Sequence, residues 1–491
     1  MMGSTFSTYN IAYSGMYTSQ ASLAATSNNL SNVSTTGASR TRVAAAEQNI
    51  VNGQTSTGTG VNVQSITRAR DQLLDNTYRT QNADANYWAV KSGNLEYMQE
   101  ILNEFESDDG ENQASLQTTM EDFFSAWEEL TKDPSSQSNR QAVTEAASSF
   151  VSALSEIDNQ LQQLQSDAVN GVNDGIDSLN ELAGQVAVLN KQISVAEAGG
   201  GEATYLRDQR DNLLDQMSSL ANISTVESNG VLQVTLGGVT LVNGATTHTL
   251  TVEGDGSTDR PLVIKWDDSL NCTNSITGGS IKAYLEDADQ TGYSTIASTD
   301  DYNFTTTACS SISTLRQGLN DLITTLAVQI NTLHSSGTDL DGEQGLDFFT
   351  VIDATQPLSI TNIQVNPALV DDPDKLVASS SSASGDNSIA TAISDLSSSK
   401  CYKLDGLSLD ISDFYAGLIS WIGTTGDTAA SSYTTQSALV SQVDNQRQSV
   451  SGISNDDEMS NLIMYQNAYA ASARVLSTVD GLIAGLIEDL G

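Results

Sequence analysis

The sequence predicts a mainly α-helical protein with one small β-rich insert. Three observations lead to this fold class. Apolar residues follow a heptad pattern at both ends of the chain, long helical patterns succeed one another over residues 71–220, and apolar and polar residues alternate over residues 223–281. Heptads are typical of helices that pack side by side, whereas alternation is typical of strands. We therefore expect a helix, a bundle, a β insert, more of the bundle and a final helix, in that order.

The C-terminal helix is predicted at residues 459–490 and has two apolar stripes. The first is a heptad seam that Gln466 and Asp480 interrupt; its other members include Leu462, Tyr469, Leu476 and Ile483. The second stripe lies beside it and consists of Ile463, Val475, Val479, Leu482 and Leu486. One partner helix covers only one seam, so we expect this helix to need several partners. Arg474, its only basic residue, is either solvated or a subunit contact, and we favour the contact.

A heptad also runs through the N-terminal segment. Its members are Phe6, Tyr9, Tyr13, Met16, Gln20, Leu23, Ser27 and Leu30. We expect the two terminal helices to pair, with Gln20 and Gln466 setting the register as buried polar residues do in coiled coils. The apolar surface left over implies disorder or a chaperone before assembly, and burial against other copies after it. We expect residues 1–40 and 455–491 to form one terminal coiled-coil domain that is disordered in the monomer.

Between the termini, the sequence predicts a hairpin, a bundle and a β insert. The irregular hairpin falls at residues 42–46 and 60–66. Five helices follow, at residues 71–105, 114–130, from 134 past 164, 176–198 and 205–220. A helix at 312–333, short strands within 351–399 and helices at 414–422 and 432–450 complete the middle of the chain. We assign residues 41–222 and 279–454 to a helical bundle domain and residues 223–278 to a β-rich insert domain.

The composition excludes several classes of function. The chain has 61 acidic and 20 basic residues among 491, and its net charge of −41 repels nucleic acid and anionic lipid. No stretch is apolar enough to span a membrane. Residues 1–39 have no charged side chain and so lack the basic start of a signal peptide. We expect neither nucleic-acid binding nor membrane insertion.

Few side chains suggest a chemical site. Cys272, Cys309 and Cys401 are far apart in the sequence, and His248 and His334 fall in different predicted domains. We interpret all five as structural, with His334 at a helix end where a positive charge suits the helix dipole. The sequence contains no phosphate-binding loop, dinucleotide fingerprint, nucleophile elbow or zinc pattern. We therefore expect no enzyme activity and no metal or cofactor.

Two charged stretches have both a functional and a structural interpretation. The loop with Asp339, Asp341, Glu343 and Asp347 has the composition of a calcium site. Its spacing, however, places glycine and phenylalanine where an EF-hand loop needs carboxylates, so we favour a glycine-rich turn. The run R-D-Q-R-D at residues 207–211 suggests ion pairs from a bundle helix to its neighbours, which we favour over a binding site.

The two ends of the sequence resemble the axial family of bacterial flagellar rod, hook and hook-associated proteins. The N-terminal stretch is T-S-N-N-L-S-N-V-S-T-T-G-A-S-R, residues 26–40, and it matches the family signature at Asn28, Asn29, Asn32, Gly37 and Arg40. The C-terminal stretch is Y-Q-N-A-Y-A-A-S-A-R-V-L-S-T-V-D, residues 465–480. Ala38 departs from the pattern, because the family usually has an aromatic residue at that position.

Three further stretches narrow the resemblance to the hook-associated protein 1, or FlgK, family. They are R-D-Q-R-D-N-L-L (207–214), V-Q-I-N-T-L-H-S-S-G-T-D-L-D-G-E-Q-G-L-D-F-F (328–349) and S-V-S-G-I-S-N-D-D-E-M-S-N-L-I (449–463). The resemblance extends along nearly the whole chain and is weakest in the β insert. Residues 349–368 are too few for the extra outer domain that some members have.

This resemblance implies a structural, non-enzymatic role at the junction between hook and filament, outside the cell. The protein would be exported by the flagellar type III system without a cleaved signal peptide, escorted by an export chaperone at its C-terminus. The implied partners are other copies of this chain, the hook protein and the second junction protein, hook-associated protein 3. The terminal helices would form the inner tube of the axial structure, the bundle the next layer and the β insert the outer surface.

Three alternatives remain at this stage. A hook or distal rod protein has the same terminal helices, but a five-helix bundle disfavours it because those proteins have mostly β structure between their ends. A secreted adhesin or surface-layer protein would explain the acidity without explaining two matching heptads. A hydrolase that uses the carboxylates of residues 339–347 comes last.

Overall fold

The computed structural model describes residues 5–52, 55–102, 115–228, 230–291, 304–306, 310–381 and 385–490. The helices are α1 (Thr5–Ser31), α2 (Gln72–Leu102), α3 (Leu116–Lys132), α4 (Gln137–Glu197), α5 (Thr204–Leu220), α6 (Ser280–Ala288), α7 (Ser311–His334), α8 (Pro367–Asp371), α9 (Ser388–Ser394), α10 (Ile411–Ser451) and α11 (Asn455–Leu490). Long helices thus dominate the fold, as predicted. None of the helices in these ranges is both long and apolar enough to cross a membrane.

The strands form small antiparallel sheets. They are β1 (Thr41–Asn52), β2 (Thr55–Arg68), β3 (Ile223–Ser228), β4 (Val231–Leu236), β5 (Val239–Asn243), β6 (Thr246–Thr247), β7 (Leu250–Glu253), β8 (Val263–Trp266), β9 (Phe349–Thr350), β10 (Gln364–Val365), β11 (Tyr402–Leu404) and β12 (Leu407–Leu409). Strands β3 to β6 make one sheet in sequence order, and the others pair two by two. The predicted β insert therefore contains six strands, β3 to β8.

The two terminal helices pair in antiparallel orientation, which confirms the predicted pairing. Gly15 of α1 lies beside Ser472 of α11, so close that a Cβ on the glycine would be 3.1 Å from the serine Oγ. Fourteen residues further along α1, Asn29 contacts Glu458, which lies fourteen residues earlier in α11. Residue numbers that rise along one helix and fall along the other show that the helices run in opposite directions.

The hairpin of β1 and β2 follows α1 and packs against it. Its register shifts between Ala44 and Ala45 and again between Gln48 and Asn49, which confirms the predicted irregularity. The strands are longer than predicted, because the glycine- and threonine-rich residues between the predicted segments also pair. On the outer side of β2, the Val61 N–H donates to the Ser14 hydroxyl of α1 at 3.1 Å. This bond occupies part of the free edge of the hairpin.

Helix α4 corrects one prediction. Residues 137–197 form one helix of 61 residues, where the sequence predicted one helix from 134 past 164 and another at 176–198; Gly171 and Gly175 lie between or beside these predicted helices. Both glycines lie under α6: a Cβ on Gly171 would be 2.8 Å from the Tyr284 ring, and one on Gly175 would be 2.7 Å from Ile281 Cγ1. The glycines therefore permit close approach of a second helix and do not end the first. The bundle has four successive helices, α2 to α5, instead of five.

Helix α10 corrects a second prediction. The sequence predicted separate helices at residues 414–422 and 432–450, but one helix spans Ile411–Ser451. The intervening Thr424, Thr425 and Thr428 hydroxyls donate to carbonyls one turn earlier, so the polar residues satisfy their hydrogen bonds within the helix. This stretch also packs along α2, where Gly426 meets the Gln99 side chain. Packing against α2 outweighs the weak helix propensity of glycine and threonine.

Two hydrophobic cores lie along α4. The first includes the buried rings of Phe123, Trp127, Phe150 and Phe348, and it unites α2, α3, the first half of α4, α7 and α10. The second combines the later half of α4 with α5, α6 and strands of the β insert, and it includes the buried Trp266 of β8. Because α4 contributes to both, it is the common support of the bundle and the β insert. The exact limits assigned to these domains stay a prediction.

Candidate assembly interface

The contact face of the terminal helix pair is built from small side chains. On α1 the buried residues are Ala12, Ser19, Ser22, Ala25, Thr26 and Asn29. Their spacings of three, four and seven place them on one side of the helix. Small side chains allow two helix backbones to approach closely, and the short distance between Gly15 and Ser472 shows this approach. We call the antiparallel assembly of α1 and α11 the terminal helix pair.

The predicted seam of α1 lies at the border of this buried stripe. Met16, Leu23 and Leu30 are half-buried, whereas Gln20 is exposed and Tyr13 is 52% exposed. The side chain of Phe6 lies outside the described part of the chain. The pattern of alanine, serine and threonine would have indicated the contact face, but sequence reasoning gave weight to the large apolar residues.

The seam residues of α11 divide in a similar way. Leu462, Leu476 and Ile483 are half-buried, whereas Gln466 and Arg474 are exposed. Tyr469 is also exposed, and the side chain of Leu486 lies beyond the described residues. Neither predicted glutamine is buried within the chain. Their role in setting a register stays a prediction for the assembled state.

Large apolar residues of the terminal helix pair remain exposed. On α11 they include Ile463 and Leu482, which are 56% and 62% exposed. Among the described side chains the set is Ile11, Tyr13, Tyr17, Met459, Ile463, Met464, Tyr469, Val475, Leu482 and Ile487; their spacing distributes them over more than one side of the two helices, and we call this exposed apolar surface the outer face. Extended apolar surface on a soluble protein marks a site of protein or membrane contact. The outer face is therefore the candidate assembly interface.

The signature asparagine Asn29 anchors the C-terminal end of α1. Its amide oxygen accepts hydrogen bonds from the Thr41 N–H at 2.9 Å and the Thr41 hydroxyl at 2.7 Å. Its amide nitrogen donates to the Thr41 carbonyl at 3.0 Å and to the Glu458 carboxylate at 3.1 Å. One buried side chain thus joins the end of α1 to the start of β1 and to α11.

The signature arginine Arg40 binds the same glutamate from the other side. Its Nε donates to Glu458 at 2.7 Å, and its backbone N–H donates to the Ser451 carbonyl at 2.8 Å. Glu458 is 1% exposed. The ends of α1, β1, α10 and α11 therefore meet around one buried carboxylate, and we call Asn29, Arg40 and Glu458 the junction triad.

The remaining signature residues shape the turn between α1 and β1. The Asn32 amide donates to the Asn28 carbonyl at 2.9 Å and so closes the last turn of α1. Gly37 has φ of 81°, a backbone conformation that favours glycine, and it packs beside Asn212 of α5. The next contact, from Ser39 to Asp208 of α5 at 2.6 Å, ties the turn to the bundle.

The run R-D-Q-R-D on α5 makes ion pairs, as predicted, although its partners lie on strands as well as helices. Arg68, the last residue of β2, pairs with Asp208 and Asp211 at 2.7 Å each. Arg207 pairs with Glu197 at the end of α4 at 2.6 Å, and Arg210 pairs with Glu227 of β3 at 2.8 Å. Helix α5 is thus the charged centre to which the hairpin, α4 and the β insert attach.

In this network, burial and the neighbouring arginines shift the pKa values of the aspartates in opposite directions. Burial alone would raise the pKa of Asp211, but the guanidinium groups of Arg68, Arg70 and Arg79 outweigh it and hold that pKa below its usual value. At Asp75 the balance is reversed: burial raises the pKa in spite of Arg70 and Arg79. Asp211 therefore stays ionised at neutral pH and anchors the surrounding arginines.

The other candidate sites are structural in the described residues. Asp339 accepts hydrogen bonds from the Asp341 and Glu343 N–H groups at 3.0 and 2.8 Å, which is turn geometry. No group of three or more potential metal ligands occurs in the ranges described. Burial raises the pKa of the Cys272 thiol to about 11, as expected for an unreactive cysteine. Cys401 is half-buried, and Cys309 lies outside the described ranges.

His334 is structural for a different reason from the predicted one. It is fully buried at the end of α7, where its Nδ1 bonds the Leu346 carbonyl at 2.5 Å and its Nε2 accepts the Val377 N–H at 2.9 Å. Burial lowers its pKa to about 4, so the imidazole is neutral. It therefore fixes two loops to the helix end, and no positive charge acts on the helix dipole. His248, the other histidine, is exposed beside Asp267.

Comparison with known families decides between the alternatives. Residues 102–349, just over half of the chain, match the family described as the flagellar hook-associated protein FlgK helical domain. The chain belongs to the FlgK family. Residues 444–488 match a second description, the C-terminal region of the flagellar basal body rod FlgEFG proteins. That second match covers the end of α10 and nearly all of α11.

Individual members of the FlgK family align with nearly the whole chain. The flagellar hook-associated protein 1 of Bacillus subtilis (strain 168) is 29% identical over 100% of this chain and 99% of its own. That of Escherichia coli (strain K12) is 26% identical over 98% of this chain and 99% of its own. The solved structure of the flagellar hook junction protein FlgK from Burkholderia pseudomallei has a TM-score of 0.60 at 16% identity, with 76% of this chain and 100% of that chain aligned. The last similarity establishes a common fold.

Proposed function

We propose that this chain is a structural protein of the bacterial flagellum that assembles at the tip of the hook and links hook to filament. The observation that carries the proposal is full-length similarity to hook-associated protein 1 of two organisms, together with an exposed apolar face on paired terminal helices. The FlgK family is one of flagellar structural proteins, and we propose no enzymatic role for this member.

The terminal helix pair would supply the contacts between copies. We propose that the outer face is buried by neighbouring copies in the inner tube of the axial structure. The bundle would then lie in the next layer and the β insert at the outer surface. In a single copy the outer face has no cover, so we propose that most of the terminal helix pair is disordered until assembly. Gln466 and Arg474, both exposed, are candidate contacts between copies.

The distribution of charge supports assembly through the terminal part. Residues 1–70 contain four arginines and one glutamate, and residues 455–491 contain six acidic residues and one arginine, so these terminal parts together carry a net charge of −2 out of −41 for the whole chain. Almost all of the negative charge therefore belongs to the bundle and the β insert. Copies that meet through their terminal parts avoid the repulsion that two acidic surfaces would experience.

The remaining partners follow from the proposed position. We propose contacts with the hook protein on one side and with hook-associated protein 3 on the other. We also propose export through the flagellar type III system without a cleaved signal peptide, with an export chaperone covering apolar residues near the C-terminus. The protein would act outside the cell.

Two of the alternative interpretations, a hook or distal rod protein and a secreted adhesin, are less well supported. A hook or distal rod protein would account for the match at residues 444–488 but not for the match at residues 102–349. A secreted adhesin would account for neither. Electron microscopy of cells that lack this protein tests the proposal: we expect hooks without filaments, restored by the intact gene. Normal filaments in such cells would contradict it.

A further inference from the structure

The buried carboxylate of Glu458 connects the two ends of the chain. Its two oxygens bind Asn29 and Arg40, which lie 429 and 418 residues earlier in the sequence. Both contacts are within 3.1 Å, and Glu458 is 1% exposed. The carboxylate is therefore shielded from water, whereas the Arg40 side chain is 21% exposed.

We propose that the junction triad is a latch that orders residues 28–40, at the end of α1, only after the first turn of α11 has docked, whereas the rest of the terminal helix pair orders on assembly. An incomplete chain would then lack the ordered start of the pair. The proposal rests on the proposed function, because the terminal helix pair is taken as the assembly element. It assigns to Glu458 the role of a positioning residue for a helix at the opposite end of the chain.

Arg40, on the N-terminal side of the junction triad, takes its partners from the C-terminal part of the chain. Glu458 is the only carboxylate within ion-pair distance of Arg40 among the residues that the structure describes. The Arg40 backbone N–H also takes its acceptor, the Ser451 carbonyl, from near the C-terminus. Loss of Glu458 removes the counter-charge of Arg40, whose side chain is 21% exposed, together with one acceptor of the Asn29 amide, so both N-terminal residues lose a shared partner.

Helix α1 has little stability of its own to replace these contacts. Its buried face consists of alanine, serine, threonine and asparagine, which bury little apolar surface. It has no charged side chain and therefore no ion pairs within the helix. Isolated helices without tertiary contacts are marginal in water. The end of α1 thus depends on the latch.

The bundle holds the N-terminal side of the junction triad in place through Ser39, the neighbour of Arg40. Ser39 is bound to Asp208 of α5 through both its N–H and its hydroxyl, at 3.0 and 2.6 Å. Glu458 lies in the first turn of α11, where the helix dipole favours a carboxylate. When this first turn docks, Glu458 completes the junction triad. Arg40 is already in place, because its neighbour Ser39 is bound to α5.

Hydrogen exchange of the purified monomer tests the latch. We expect Glu458→Ala to accelerate exchange at residues 28–40 by about tenfold or more. Asp457→Ala is the matched control, because Asp457 is an exposed acidic residue of the same turn, and we expect no change there. A purely local role for Glu458 would accelerate exchange around residue 458 alone. That result would overturn the proposal.

Two shortened chains separate the latch from the assembly role. A chain that ends at residue 466 retains Glu458 but lacks most of α11, whereas a chain that ends at residue 454 lacks Glu458 as well. We expect residues 28–40 to be protected in the first and unprotected in the second. Equal exchange in the two chains would refute the latch. Assembly of either chain onto hooks would instead refute the proposed assembly role of the terminal helix pair, so the two failures can be told apart.

Discussion

One nitrogen of the Arg68 guanidinium, Nη1, lies 2.7 Å from both Asp208 and Asp211 on successive turns of α5. Arg68 is the last residue of β2, and its side chain is 8% exposed. The hairpin that leaves the terminal helix pair is therefore fixed to the bundle by a buried, shared charge. The first prediction concerns this contact.

Replacement of Arg68 by alanine should destabilise the bundle strongly. It removes the ion pair of Asp208 and leaves Asp211 with only Arg70 and Arg79, at 3.2 and 3.5 Å, and breaking a buried pair in this way costs up to about 3–5 kcal/mol. Arg260→Ala is the control, because its pair with Asp255 is exposed and such pairs contribute about 0–1 kcal/mol. Urea unfolding of both variants measures the free energies. Equal stabilities would show that the network does not hold the hairpin.

Replacing two glycines of α4 by alanine, one at a time, should change the stability of the protein in opposite directions. A Cβ on Gly175 would lie 2.7 Å from Ile281 Cγ1, so Gly175→Ala overpacks the contact with α6 and should cost about 1–3 kcal/mol. Gly184 has no atom within 4 Å of its Cβ position, so Gly184→Ala should stabilise the helix by up to about 1 kcal/mol. Thermal unfolding of both variants provides the comparison. Stabilisation by Gly175→Ala would contradict the close approach.

His334 should make the protein less stable as the pH falls. Burial holds its pKa at about 4, below the ordinary value of 6.5, with smaller effects from the Leu346 carbonyl, Arg140 and Asp339. The unfolded chain therefore takes up a proton before the folded chain does, and stability is lost between about pH 6.5 and 4. In His334→Gln this part of the loss should vanish. Urea midpoints at several pH values test it; an identical pH dependence in the variant would be inconsistent with a buried neutral imidazole.

Asp321 should make the protein less stable as the pH rises, the opposite of His334. Burial in α7 raises its pKa from 3.8 to about 7, although a hydrogen bond from Gln317 lowers it in part. The folded chain keeps the proton longer than the unfolded chain, so stability is lost as the pH rises from about 4 to 7. Asp321→Asn should therefore stabilise the protein at about pH 8, by roughly 2 kcal/mol or more, and have little effect at about pH 4. A variant that is no more stable than the wild type at the higher pH would refute this.

The sequence contained enough to predict the helices and their order, but not where the long ones continue. Gly171 and Gly175 resemble a break, because glycine weakens a helix locally, and only the position of α6 shows that they make room for Tyr284 and Ile281. The same holds for residues 423–431 of α10, which are helical because they pack along α2. Contacts between distant segments decided both cases.

The candidate interface was predictable in kind and less so in detail. The two heptads correctly indicated that α1 and α11 pair, although the seam residues lie at the border of the buried stripe or are exposed. The buried stripe of α1 instead uses Ser19, Ser22 and Asn29, residues whose burial depends on a close partner backbone. The link between Asn29 and Glu458 spans 429 residues, and no local pattern reports such a contact.

The measurement that bears most directly on the proposed assembly is electron microscopy of cells whose only copy of this protein has Ile463→Asp and Leu482→Asp. Both residues belong to the outer face, and buried carboxylates without partners would oppose packing between copies. Val188→Asp with Val195→Asp is the matched control, because these valines of α4 are 56% and 72% exposed on the bundle. We predict hooks without filaments for the first pair and normal filaments for the second. Normal filaments with the first pair would contradict the account.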